Sequence, residues 1–332
     1  MQSAAYPLFE NIMKYKYCLL TAIIVMLIFI CGCGLQKQDE PQKQYNSDYK
    51  VVDDQGTEFL FVEVPNKIIT NSLAYQDILM ELVPLEHFAA VSAGSLDANY
   101  SLTADKAKLV KQKFNQPITL ETVLAYKPDV YITTDSSPKA LTISLKEMGV
   151  KVFIVKSAHN YGEIQHSVLK LAELTGQQAK GEAIIQRMDE QRDLLKKKLA
   201  KLQPKDKRTI VELTYAGTYG MLQHVFAMLC DLSNCNNGME IMPVRSSMVV
   251  SKEKLVSLNP DVLFLPTWDV KGNQNSDQYF EQIISDPAYK DMQCIKNKRV
   301  YKFPEKYRYC ASQYIVDAAE AMAKLVYPEC FN

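Results

Sequence analysis

The chain has 332 residues, of which 47% are hydrophobic and 23% charged, enough apolar content for one or two packed domains. Lys+Arg and Asp+Glu both number 38, so no global field exists to hold nucleic acid or an anionic bilayer. Recognition by charge must be local, and no nucleic-acid partner is expected.

Lys14 and Lys16 precede an apolar run from Cys18 to Ile30 that ends at Cys31-Gly32-Cys33. A short basic stretch, a short apolar core and a small residue before a cut site describe a secretory signal. The run falls well short of the roughly 20 residues of a spanning helix, although an uncleaved anchor is the alternative. Ile30 to Cys33 resembles the bacterial lipoprotein cleavage box, which implies Cys33 as the lipid acceptor; Cys31 departs from that box, where a smaller residue is usual. On either reading the body lies outside the cytoplasm. The signal begins so cleanly at Met13 that the residues before it read as an upstream start. Gly34 to Asp48 is polar and Gln-rich, too poor in apolar residues to fold, and reads as a tether.

Tyr49 to Val64 is extended and broken at Asp53-Asp-Gln-Gly56, a hairpin turn. Lys67 to Thr70 reads as a strand, followed by a helix through Leu82. Val130 to Thr133 is a strand, Pro138 to Met148 a helix and Val152 to Val155 a strand, an alternation that predicts parallel sheets with helices on their faces. Gly181 to Leu202 breaks the rhythm. Ala183, Ile184, Met188, Leu194, Leu195, Leu199 and Leu202 recur near helical spacing, and Pro204 stops the run. Strand–helix alternation resumes at Thr209.

A repeat flanks that long helix. Leu120-Glu121…Pro128-Asp129-Val-Tyr-Ile132 matches Lys252-Glu253…Pro260-Asp261-Val-Leu-Phe264. In each copy Glu opens a two-turn helix, where a carboxylate suits the positive end, and Pro-Asp leads into a strand. Two copies on either side of one helix predict an α/β fold of two lobes, each with a central mostly parallel sheet flanked by helices, joined by one long backbone helix. The expected segments are a signal at 1–33, a tether at 34–50, a first lobe at 51–176, a connecting helix at 177–204 and a second lobe at 205–332.

The order of these units is similar to that of the iron-complex and cobalamin class of periplasmic substrate-binding proteins of ABC importers. Met148-Gly-Val-Lys-Val-Phe-Ile-Val155, Leu174-Thr-Gly176, Ile295 to Lys302, Ser312-Gln-Tyr-Ile-Val316 and the ending Ala323 to Phe331 add to the likeness. The resemblance implies one ligand, an iron complex (ferric siderophore or haem) or cobalamin, held between the lobes and delivered to a permease with its ATPase subunits. It also implies that Glu121 and Glu253 pair with permease arginines; read locally, each caps its helix. A free monomer, anchored by lipid, is expected.

Loops at the C-terminal ends of the strands should line the cleft. They offer Tyr75, Tyr100 and Ser136 from the first lobe, and Tyr215, Tyr219, Arg245, Trp268, Tyr307 and Arg308 from the second. Aromatic walls suit a large rounded chelate, and the two arginines could grip carboxylate or catecholate oxygens. His87, His159, His166 and His224 have no metal-ligand spacing, so no directly bound metal is expected. No nucleophile elbow, phosphate loop or metal-hydrolase motif appears, so neither catalysis nor a cofactor is expected. A surface sensor or adhesin on the same fold is the alternative. Beyond the signal lie Cys230, Cys235, Cys294, Cys310 and Cys330, of which the first two could pair if their loop turns back.

Overall fold

A computed structural model describes residues 49–215, 224–241, 251–267, 269 and 272–331. Cys33, Tyr219, Arg245 and Trp268 lie outside the described residues. Strands β1 (Tyr49–Val52) and β2 (Glu58–Phe61) pair antiparallel. Their turn is set by Asp53, whose carboxylate accepts from the backbone of Gln55 and Thr57 at 2.9 and 2.8 Å, with Gly56 supplying a φ of 79°.

Strands β3 (Ile68–Thr70), β6 (Val130–Thr134) and β7 (Val152–Val155) form a parallel sheet in the order β3-β6-β7. Between β3 and β6 the chain adds a two-residue parallel pair, β4 (Val91–Ser92) with β5 (Lys113–Phe114). A second sheet, wholly parallel in the order β11-β10-β8-β9, contains β8 (Thr209–Glu212), β9 (Asn236–Asn237), β10 (Val262–Leu265) and β11 (Val300–Lys302). β7 and β10 are buried throughout, and β6 up to its last residue Thr134, as expected of strands covered by helices on both faces.

The helix between the sheets runs from Gln178 to Leu199, 22 residues. Ile184, Met188, Leu195 and Leu199 form its buried stripe, whereas Ala183 and Leu194, expected on that stripe, face solvent. Gly181 lets the helix pack hard against Tyr161–Leu174, where a Cβ would meet that of Ala172 at 2.6 Å.

The repeat folds identically in its two copies. Thr119 and Ser251 cap the helices Leu120–Tyr126 and Lys252–Leu258, and Lys127 and Asn259 end them with φ of 47° and 49°. These left-handed residues stop the helices one position before the prolines expected to do so. The aspartates have a task not foreseen: Asp129 accepts from the N–H groups of Asn66 and Lys67, and Asp261 from that of Thr209. Each repeat thus ties its own strand to the start of a neighbour, β3 or β8.

Candidate functional site

A cavity of about 600 Å³ opens at the C-terminal ends of β3, β4 and β5, lined by Thr70, Asn71, Ser72, Gln76, Tyr100 and Gln116 among others. The helix Leu73–Leu82 points its N-terminus at it, with Ser72 as cap. First-turn N–H groups have no partner within a helix, so that end favours oxygen acceptors. Gln76 also lines the cavity; it is only 2% exposed, and its Nε2 has no hydrogen-bond partner. A side chain one turn into a helix leans toward the N-terminus, which carries this amide to the cavity wall.

The wall is stiffened from behind. Thr133 Oγ1 donates to Asn71 Oδ1 at 2.9 Å, Asn71 Nδ2 to Ser137 Oγ at 3.4 Å, and Gln116 Nε2 to the Asn71 carbonyl at 3.3 Å. Among the described residues the lining carries no charged side chain.

Of the first-lobe residues expected here, Tyr100 lines the cavity. Tyr75 is 3% exposed and turned away, its hydroxyl donating to the carbonyls of Val155 and Lys156 at 3.1 Å each. Ser136 is exposed beside Thr134 and Ser157, both within 2.9 Å, and is not in the lining. Gln76, Ser92 to Ser95, Asn115 and Gln116 were not foreseen. All but Gln76 end or follow β4 or β5, strands too short to read as such in the sequence.

In the second sheet Arg308 is buried rather than poised. Its guanidinium is held by Glu212, by Glu305 at 2.7 Å and by the Leu213 carbonyl at 3.1 Å. Burial opposes its charge, yet the two carboxylates outweigh that and raise its pKa, while burial pushes both Glu212 and Glu305 up. The predicted donor therefore grips carboxylates, but those of its own chain. Tyr215 packs on Tyr279 with centroids 5.1 Å apart, and Tyr307 is half-buried against Phe303. The segment expected as the loop Glu305–Arg308 is a short helix, and it reaches the first lobe: Lys306 N donates to Asn99 O at 3.0 Å, and Tyr309 meets Tyr100 edge-on at 5.5 Å.

Glu121 and Glu253 are both exposed in the first turns of their helices. Bonds to its own backbone and to Thr119 hold the Glu121 carboxyl below its ordinary range; those to Ser251 and its own backbone do the same for Glu253.

Residues 68–307 match the family of periplasmic binding proteins. The chain belongs to that family. It is 20% identical over 335 residues to an uncharacterized ABC transporter substrate-binding lipoprotein, YvrC, of Bacillus subtilis, covering 96% of this chain and 100% of that one. The iron-uptake system-binding protein of the same organism is 22% identical over 293 residues, covering 86% and 90%. Among solved structures, the periplasmic heme-binding protein RhuT from Roseiflexus sp. RS-1 matches with a TM-score of 0.67 at 14% identity, covering 80% of this chain and 99% of that one. The expected class and its parallel α/β architecture are therefore met: this periplasmic binding protein is a solute-binding protein.

Proposed function

We propose that this chain is the lipid-anchored, extracytoplasmic receptor of an ABC importer, and that its cargo is a metal chelate presenting carbonyl, hydroxamate or carboxylate oxygens. The observation that carries the reading is the unpartnered Gln76 amide in the cavity at the N-terminus of Leu73–Leu82. A buried donor without a partner is costly unless a ligand completes it. Ferric siderophores and cobalamin offer such oxygens on their periphery, and the names of the iron-uptake and heme-binding relatives point to the same group of cargoes. The lobes are 51–176 and 205–332, anchored through Cys33 and a tether, and Glu121 and Glu253 dock on the permease. Their exposure and charge suit pairing with arginine.

The test is calorimetric titration of the full chain with ferric hydroxamates, ferric catecholates, haemin and cobalamin. Saturable binding of one class supports the reading. Failure of all four overturns the cargo assignment and favours a sensor or adhesin using the same fold.

A further inference from the structure

We infer that Cys230 and Cys235 form an intramolecular disulfide in the exported protein, closing the C-terminus of the helix His224–Leu232. The inference rests on the extracytoplasmic location proposed above, because disulfides persist in oxidising compartments.

The geometry comes from how that helix ends. Asn234 has a φ of 56°, Cys235 N donates to Cys230 O at 2.8 Å, and Asn234 N donates to Asp231 O at 3.2 Å. This is the six-to-one and five-to-two pairing of a Schellman motif, in which the side chains of the first and sixth residues commonly meet. Here both positions are cysteines. With ordinary bond lengths, the direct backbone bond between them limits their Cα separation to about 6.7 Å, inside the roughly 4.4–6.8 Å that a disulfide spans.

The thiols share one environment. Both are buried in the same apolar cluster, and both line a cavity of about 260 Å³ with Asp231, Glu240 and His159. Burial first, then the neighbouring Cys235 thiol, raises the pKa of Cys230. Cys235 Sγ contacts the Ser233 carbonyl of the same turn at 3.4 Å and the Tyr327 hydroxyl, and thiol hydrogen bonds of this kind are weak. Cys294, Cys310 and Cys330 have no such backbone link to another cysteine among the described residues.

The chemistry is thiol–disulfide exchange with an external disulfide. One thiolate attacks that oxidant and expels a thiol; the second thiolate attacks the resulting mixed disulfide and expels the other. One S–S bond forms in the protein, two thiol protons are lost, and the oxidant is reduced to its dithiol.

The experiment uses the full chain, exported by its own signal, denatured without reductant, alkylated and digested with trypsin. One tryptic peptide, Thr209 to Arg245, carries both residues. It is expected unlabelled and two hydrogens lighter than the dithiol, while Cys294, Cys310 and Cys330 are labelled. Two labels on that peptide, in protein whose signal is removed and whose Cys33 carries lipid, overturn the inference.

If the chain is retained with its signal intact, the location reading fails, and the purified full chain in an oxidised glutathione buffer decides the disulfide instead. Closure without a trapped glutathione adduct supports it; a persistent dithiol or adduct overturns it. A stability cycle of Cys230→Ser and Cys235→Ser adds an independent readout. Either single variant should lose as much as the double, whereas independent thiols would give additive losses.

Discussion

Gln76 gives the sharpest test of the cavity, because two measurements on one variant should move in opposite directions. Its Nε2 is buried with no protein partner, which costs about 1–3 kcal/mol. Gln76→Met keeps the length of the side chain and its helix propensity while removing the polar atoms. The variant should therefore unfold at higher urea, stabilised by about 1–2 kcal/mol. The same change deletes a donor that the cargo would complete, worth about 0.5–1.5 kcal/mol, or roughly a twofold to thirteenfold loss of affinity. The assays are urea denaturation followed by circular dichroism and calorimetric titration with the cargo found for the wild type. A variant that binds as before, or that loses stability as it loses affinity, refutes the reasoning. The first outcome would mean that the amide faces no ligand, and the second that it supports the fold.

Three further perturbations follow from the same contacts. Arg308→Met strands the buried carboxylates of Glu212 and Glu305 and should cost about 3–5 kcal/mol, while adding Glu212→Leu and Glu305→Leu should recover most of it; a single variant as stable as wild type in urea would show that the cluster is neutral before mutation. Burial, opposed by Thr103, Ser312 and Lys106, raises the Asp77 carboxyl from 3.8 to about 7, so the folded chain holds that proton more tightly than the unfolded one. That carboxyl's stabilising contribution should then be fully present below the unfolded value of 3.8, be lost as pH rises from there to about 7 and level off above it, and Asp77→Asn should flatten this slope between about pH 4 and about pH 7; an unchanged slope sinks the assignment. Glu121→Lys combined with Glu253→Lys should abolish cargo uptake by cells while leaving calorimetric affinity unchanged, since both side chains are exposed and outside the cavity lining; lost binding would place them in the cargo site instead.

Long, strongly patterned features were legible in the sequence. Val130 to Thr133 and Val152 to Val155 read as strands because each is a short apolar run between turn signals, and the repeat was visible because Glu, Pro, Asp and Val recur at the same places in two stretches. The task of its aspartates was not visible. Glu121 and Glu253 announce helix starts, but nothing local shows that Asp129 and Asp261 accept bonds from the distant residues at the starts of β3 and β8. The cavity was half-legible for a similar reason. Asn71 and Tyr100 could be read from polar loops, whereas Ser92 to Ser95 and Asn115 end or follow strands of two residues, too short for any periodicity. Arg308 was read as a cleft donor for the cargo's oxygens, whereas it is buried against Glu212 and Glu305; nothing local announces that pairing, since Glu212 lies 96 positions away.

How far the lobes can move follows from what joins them. One apolar cluster runs from Ile68, Val130 and Phe153 through Ile184, Met188 and Leu195 of the long helix to Ile210, Val262 and Phe264 of the second sheet. Polar contacts brace the same junction: Gln313 Nε2 donates to the Asp77 carbonyl at 2.9 Å and to Glu81 at 3.0 Å, and Arg187 pairs with Glu81. A wide hinge opening would expose part of that cluster and strand the buried carboxyl of Asp77, and interiors packed at this density switch between discrete states instead of bending gradually. The freer contacts lie at the rim, where Tyr100 meets Tyr309 and Lys306 N reaches Asn99 O. These separate without opening the core, so the rim rather than the spine is where the chain can admit a cargo.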